Sequence, residues 1–243
     1  MRLNIKPVVL LVILTFAFLL RAAIPQVATG TWQAGNAMTE ARSGSAAVPL
    51  ADGSVLITGG DGTSGPLNTA ELMSSVGTFS SVAPMQSPRS NHAAIVLQDG
   101  RVLVTGGTTP GGGITNSAEL YDPTTQSWTT ANSAMIAPRS GHTASLLPDG
   151  TVLLAGGSNS AGPVSVLEIF DPSSNSFSSA GMLTSPVSKH AAATLADGRV
   201  FIAGGSSDGA NALVTAAINL GYTAAEVSSV RTILQNRGFT VTA

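Results

Sequence analysis

Three arginines and three histidines stand at matching places in a pattern that recurs along the 243-residue chain. They are Arg42, Arg89, Arg139, His92, His142 and His190. If the recurring units surround a common axis, these side chains form one ring, in which the guanidiniums would bind an anion or the imidazoles would hold a metal ion. The ring is incomplete, because Ser45 replaces a histidine in the first unit and Val187 replaces an arginine in the fourth.

A structural role for these residues is the stronger interpretation. Residues that recur at equivalent positions usually make the same local hydrogen bond in every unit. Metal-bound histidines also need carboxylates or carbonyls that hold their second ring nitrogen, and no carboxylate is evident near these histidines. We therefore expect no catalytic residue, no metal and no cofactor, and we keep the Arg/His ring as a candidate binding site.

The recurring acidic residues also have structural explanations. Four aspartates precede a glycine and are typical of tight turns: Asp52, Asp99, Asp149 and Asp197. Glu71, Glu119 and Glu168 are expected to pair with the arginines across neighbouring units. No two acids stand out as the facing pair that a glycosidase needs. The Gly-x-Ser-x-Gly and His-Glu-x-x-His motifs are also missing, so an enzyme is disfavoured.

The units have a period close to 50 residues, which is the signature of a repeat architecture. Four segments align, namely LADGSVLITGG (50–60), LQDGRVLVTGG (97–107), LPDGTVLLAGG (147–157) and LADGRVFIAGG (195–205). Their Gly-Gly pairs are 47, 50 and 48 residues apart. Elements that precede and follow these segments recur as well, so each unit is one structural repeat.

Each repeat predicts four short antiparallel strands. Asp-Gly predicts a two-residue type I′ hairpin turn between the first and second strands. The second strand, such as 102–105 or 152–155, is continuously apolar, which indicates burial on both faces. Gly-Gly ends that strand where a Cβ would clash. The third strand carries Glu119-Leu120-Tyr121 or its equivalent, and the fourth carries an aromatic residue such as Trp128.

This order of Arg, hydrophobic strand with Gly-Gly, Tyr-Asp-Pro and Trp resembles the kelch motif over residues 31 to about 220. The resemblance implies an all-β fold, a kelch-type β-propeller of about four blades, in which each repeat supplies one four-stranded blade. Galactose oxidases share this type of propeller, but their copper site depends on a tyrosine crosslinked to a cysteine. The chain has no cysteine and cannot carry that site.

The boundary repeats leave two topologies open. Trp32 predicts a lone fourth strand before the first full repeat, while the fourth repeat has a predicted third strand at 214–219 and no fourth. The Trp32 strand would therefore complete the last blade and close a four-bladed ring, a size that propellers adopt. The alternative is a fragment of a larger propeller with six or seven blades.

Both ends of the chain differ from the repeats in composition. Residues 1–23 predict a signal peptide or an N-terminal membrane anchor, because Arg2 and Lys6 precede the apolar run 8–20. The propeller is assigned to residues 24–220. Residues 221–243 predict a short C-terminal helix and a strand, either packed on the propeller or opening a further, truncated domain.

The function expected from these features is an extracytoplasmic binding scaffold. It would be secreted, periplasmic or at the cell surface, and it would present the loops at 61–68, 108–117, 158–164 and 206–212 to a protein or glycan. A formal net charge of −2 does not favour nucleic acid as a partner. The alternatives are an enzyme that uses the Arg/His ring and a structural segment of a longer surface protein.

Overall fold

The computed structural model describes residues 35–206, which form a succession of small antiparallel sheets. Blade 1 contains β1 (Ala46–Pro49), β2 (Val55–Thr58), β5 (Ala70–Met73) and β6 (Phe79–Val82). Blade 2 contains β7 (Ala93–Val96), β8 (Val102–Thr105), β9 (Ala118–Asp122) and β10 (Ser127–Thr130). Blade 3 contains β11 (Thr143–Leu146), β12 (Val152–Ala155), β15 (Val166–Asp171) and β16 (Ser176–Met182). Blade 4 is described for β17 (Ala191–Thr194) and β18 (Val200–Ala203).

Short elements fill the loops between the second and third strands of blades 1 to 3. Two-residue hairpins lie there in blades 1 and 3: β3 (Asp61–Gly62) with β4 (Gly65–Pro66), and β13 (Ser158–Asn159) with β14 (Gly162–Pro163). Blade 2 has a single 3₁₀ turn instead, over Pro110–Gly112. No helix within 35–206 is long and apolar enough to cross a membrane.

The predicted all-β fold with four strands per repeat is confirmed in blades 1 to 3, but the predicted turn type is wrong. Leu97 N–H donates to the Arg101 carbonyl and Gly100 N–H to the Leu97 carbonyl, so the hairpin loop contains three residues. Only the glycine has a positive φ, 87° at Gly100. Asp99 acts through its side chain, which accepts the Arg101 N–H at 3.0 Å, and the other three Asp-Gly turns have the same bonds.

The hydrophobic core lies between consecutive blades. The cluster between blades 1 and 2 includes Leu56 of blade 1, and Val104 and Tyr121 of blade 2. Met85, from the segment that joins the two blades, packs in the same cluster. Its outer edge is closed by Trp128, which is paired across the strands with Tyr121 at 5.1 Å between ring centroids. Phe170 and Phe177 form the equivalent pair in blade 3, at 4.9 Å. Each blade therefore covers the apolar face of the preceding one.

The Gly-Gly pairs permit the closest approach between blades. A Cβ on Gly106, where φ is 61°, would lie 2.3 Å from the Arg139 carbonyl oxygen of the next repeat, and Gly59 and Gly156 meet the next repeat in the same way. The second glycine of each pair donates its N–H across the junction: Gly60 to Arg89, Gly107 to Arg139 and Gly157 to Val187. A side chain at the first glycine would break this bond.

A second line of backbone bonds joins the repeats just before their first strands. We call Gly44, Asn91, Gly141 and Lys189 the inter-repeat ladder, because each of the last three donates its N–H to the carbonyl of the one before it. All four residues have a positive φ, between 53° and 62°. The ladder holds the innermost strands beside one another, with β7 between β1 and β11, and β17 beyond β11.

Residues 35–206 form an open arc, since no comparable packing joins β17 back to β1. The strands predicted around Trp32 and at 214–219 lie outside the described residues. The signal peptide or anchor at 1–23 and the C-terminal helix and strand at 221–243 lie outside them too.

Replacing Gly106 by Ala should strongly destabilise the protein, since the new Cβ meets a main-chain carbonyl that cannot move without separating two blades. We expect the free energy of unfolding in urea to fall by about 2–5 kcal/mol, from left-handed strain of ~1–2 kcal/mol plus overpacking of ~1–3 kcal/mol. Gly100→Ala is the matched control, because Gly100 also has a positive φ but open space around it. Equal losses in the two variants would contradict the close approach.

Candidate functional site

The recurring arginines are buried inside their own repeats. The side chains of Arg42, Arg89 and Arg139 are 0% exposed. Arg89 Nη1 donates to the carbonyls of Gly106 and Ser117, at 2.8 and 3.1 Å, and Nη2 donates to Glu119 Oε1 at 2.8 Å. The guanidinium thus joins the end of β8 to β9 in blade 2. Arg42 and Arg139 make the corresponding bonds in blades 1 and 3.

The predicted pairing of these arginines with glutamates is confirmed, but it occurs within a repeat and not across repeats. The pairs are Arg42–Glu71, Arg89–Glu119 and Arg139–Glu168. Each carboxylate also accepts backbone N–H groups from the segment that enters its blade, such as Gln86 and Ser87 for Glu119. Burial lowers the pKa of Arg89, and Glu119 offsets part of this effect. Burial would raise the pKa of Glu71, but the Thr39 N–H and Arg42 outweigh it, so that pKa lies below its usual value.

The histidines reach back to the preceding blade. His92 Nε2 lies 2.8 Å from Thr58 Oγ1, and His142 Nε2 lies 2.8 Å from Thr105 Oγ1. Both rings are buried against the Gly-Gly pair of that blade. The ring nitrogen Nδ1 has no hydrogen-bond partner in any of the three histidines.

The third histidine keeps this hydrogen bond through an exchange of residues. Ala155 stands in blade 3 where Thr58 and Thr105 stand in blades 1 and 2. The residue paired with Ala155 across the strands is Thr143, where blades 1 and 2 have alanine. His190 Nε2 bonds the Thr143 hydroxyl at 2.9 Å. A hydroxyl is therefore retained for each histidine, although it comes from a different strand.

Burial keeps these imidazoles neutral. It lowers the pKa of His92 to about 3, with a further contribution from the charge of Arg89. It lowers the pKa of His190 to about 4. The pKa of His142 also lies well below its ordinary value, through burial and then the charge of Arg139. No group of three or more His, Cys, Asp or Glu side chains within 35–206 is placed to hold a metal ion.

The exposed polar residues beside the innermost strands are not the predicted arginines and histidines. They are two residues that the sequence analysis did not identify. Asn91 and Lys189 belong to the inter-repeat ladder and are exposed, and their φ angles are 53° and 55°. Gly44 and Gly141 occupy the same position in repeats 1 and 3. The Asn91 side chain lies over Gly44 and the Lys189 side chain over Gly141. Glycine at two of four equivalent positions was the available sequence signal for this conformation.

The polar loops predicted to face a partner are each closed at the base by the same hydrogen bond, but their tips differ. Each is closed by a bond to the carbonyl of the second glycine: Leu67 N–H to Gly60, Thr115 N–H to Gly107 and Val164 N–H to Gly157, at 2.8 to 3.0 Å. The tip is a small hairpin in 61–68 and 158–164, and a 3₁₀ turn in 108–117. The fourth predicted loop, 206–212, lies outside the described residues except for Ser206. A fixed base with variable tips is typical of binding loops.

Comparison with known proteins supports the same architecture. The sequence profile of the Kelch motif matches residues 88–135. A solved structure described as "Structure of YjhT" superposes with a TM-score of 0.59 at 19% sequence identity, covering 70% of this chain and 60% of that one. The chain thus spans less than two thirds of that structure's length. No curated protein sequence matches the chain. Propellers with kelch repeats commonly mediate protein binding.

The buried histidines make stability sensitive to acid. An unfolded histidine takes up a proton near pH 6.5, whereas the folded rings stay neutral to about pH 4 or 3, so stability is lost as pH falls from 6.5 through this range. We expect a loss of a few kcal/mol by pH 4.5, measured by urea unfolding at several pH values. His92→Gln should make the free energy of unfolding depend less steeply on pH, although it lowers stability at pH 8. An unchanged slope would contradict the assignment.

Proposed function

We propose that this kelch-type propeller is an extracytoplasmic binding scaffold that presents the face carrying loops 61–68, 108–117 and 158–164 to a partner. The partner would be a protein or a glycan, and a protein is favoured because kelch-repeat propellers commonly bind proteins. The observation that carries the proposal is the exposed pair Asn91 and Lys189, held in left-handed conformations at the junctions between repeats.

The left-handed backbone favours glycine, and lysine has no local hydrogen bond that compensates for the strain. Repeats 1 and 3 use glycine there, which shows that the ladder bonds do not need a side chain. Asparagine tolerates this conformation, but a lysine held in it is better explained by what its side chain does at the surface. Both are exposed, so that role is contact with a partner.

Lys189 is the one lysine within residues 35–206. Its ammonium is a point charge that binds carboxylates, and the Asn91 amide both donates and accepts hydrogen bonds. The neighbouring loops add hydroxyl and backbone groups on a rigid base. This combination suits a polar segment of a protein, and it also suits the hydroxyl and carboxylate groups of a glycan.

Nothing in the described geometry favours the alternative enzyme at the Arg/His ring. The three guanidiniums are committed to glutamates and carbonyls, and none is exposed. The histidines are buried, with their Nε2 atoms committed to threonine hydroxyls. These contacts explain why the residues recur, and a substrate would have to displace them.

Export is proposed from the N-terminal sequence. Arg2 and Lys6 precede a 13-residue apolar run at 8–20, which is short for a membrane span and suits a signal peptide, with an uncleaved anchor as the alternative. Either outcome places the propeller outside the cytoplasm.

Replacing both Asn91 and Lys189 by glycine should remove partner binding but keep the fold. Wild-type protein would be used to select binders from a phage-displayed peptide library and from a glycan array. We expect at least tenfold weaker binding of these ligands by the double variant, with stability changed by no more than about 1 kcal/mol per site. Gln126→Gly is the matched control, since Gln126 is also exposed with a φ of 52° but lies in the β9–β10 turn. Undiminished binding, or no binder from either library, would count against the proposal.

Mass spectrometry of the native protein in extracellular and membrane fractions tests export. We expect a mature N-terminus after the 8–20 run, or the intact N-terminus in the membrane fraction only. Intact protein recovered from the cytosol would refute an extracytoplasmic location.

A further inference from the structure

The three junctions between described repeats use the same backbone bonds. The second glycine of each Gly-Gly pair donates to a carbonyl of the following repeat, at 2.7 to 2.9 Å. The ladder adds a bond in the opposite direction, from the following repeat to the preceding one, at 2.8 to 2.9 Å. Every junction therefore needs one free N–H and one free carbonyl on each side.

The same groups are unpartnered at the two ends of the arc. Within residues 35–206, the Gly205 N–H and the Lys189 carbonyl have no hydrogen-bond partner at the blade 4 end. The Arg42 carbonyl and the Gly44 N–H have none at the blade 1 end. These are the donor and acceptor pairs of one further junction, Gly205 to Arg42 and Gly44 to Lys189.

Side-chain packing shows the same vacancy at each end. Met85 and Met135 are 1% and 2% exposed because they pack on the first glycine of the preceding blade. Met38 stands in their position before blade 1 and is 36% exposed. At the other end, a Cβ on Gly204 would meet no atom of residues 35–206 within 4 Å, whereas its equivalents Gly59 and Gly106 are crowded by the next repeat.

The residues at the two ends also match chemically. Elsewhere a buried histidine meets a threonine hydroxyl across each junction. Ser45 replaces the histidine at the blade 1 end, and both residues that would carry the hydroxyl at the blade 4 end are alanine, Ala191 and Ala203. A junction between these two ends would bury no imidazole or threonine hydroxyl without its partner.

We infer that the blade 4 end of one molecule binds the blade 1 end of a second copy of this chain. The blade 1 end consists of Met38, Arg42, Gly44 and Ser45, and the blade 4 end consists of Lys189, Gly204 and Gly205. Within residues 35–206, β17 does not pack beside β1. A head-to-tail contact between identical chains is heterologous, and two such contacts close a two-fold assembly.

Sedimentation equilibrium of the mature chain tests this contact. We expect the mass of two chains at micromolar concentration. Met38→Asp should give the mass of one chain, because a carboxylate cannot pack on Gly204. Gly204→Asn should do the same while keeping the fold, since asparagine tolerates a positive φ. Ile136→Asp is the control, since Ile136 is 56% exposed and lies outside both ends, and it should stay dimeric.

Amide hydrogen exchange separates the remaining outcomes. Gly44 and Gly205 should exchange slowly in the wild-type dimer and quickly in Met38→Asp, while the amides of β8 stay protected in both. A single-chain mass at all concentrations overturns the inference, whichever way these amides exchange. Slow exchange in that monomer would mean that the ring closes within one chain, and fast exchange would mean that the ends stay open.

Discussion

The structure depends on a single steric constraint, namely that the first glycine of each Gly-Gly pair has no side chain. The carbonyl oxygen of the next repeat occupies the space that a Cβ would need, 2.3 Å away at Gly59 and Gly106. This approach brings that carbonyl to the N–H of the second glycine. The residue that supplies the carbonyl in repeats 2 and 3 is an arginine, whose guanidinium is bound inside its own blade. One residue thus links two blades, by its main chain to the preceding one and by its side chain to its own.

The buried ion pairs follow from this arrangement. Desolvation of a guanidinium and a carboxylate is costly unless their polar groups are bonded, and here the carbonyl of the first glycine and the backbone N–H groups before the arginine supply several of these bonds. The buried Nε atom of each arginine has no hydrogen-bond partner. Repeat 4 is consistent with this reasoning at the level of sequence, because it has Val187 in place of the arginine and Ala217 in place of the glutamate. Losing either charge alone would leave the other buried without a partner. The backbone bond from Gly157 persists, since it needs no particular side chain.

The sequence predicts strands well where special turn residues bracket them. β8 and β12 match the predicted runs at 102–105 and 152–155, because Asp-Gly and Gly-Gly fix both ends. The turn type was wrong because the number of loop residues depends on which strand residues pair across it. The prediction that each glutamate pairs with an arginine of a neighbouring repeat was wrong for another reason. Every repeat offers the same arginine and glutamate, so a periodic sequence does not distinguish pairing within a repeat from pairing across repeats. The residue type of Lys189 does not indicate a left-handed backbone. That conformation could be inferred only by aligning Lys189 with Gly44 and Gly141, which occupy the same position in other repeats.

The exchange of threonine and alanine between β11 and β12 determines which segments can be swapped between blades by protein engineering. His190 depends on the Thr143 hydroxyl, whereas His92 depends on Thr58, which lies in the other strand of its pair. Grafting a single strand from blade 2 into blade 3 would either delete the hydroxyl or duplicate it. Grafting the whole hairpin, 93–105 for 143–155, would transfer alanine and threonine together and keep one hydroxyl for the next histidine. The inner hairpin is therefore the smallest segment that can be exchanged between blades without leaving an imidazole unsupported, and shuffled libraries of this protein should be cut at its boundaries.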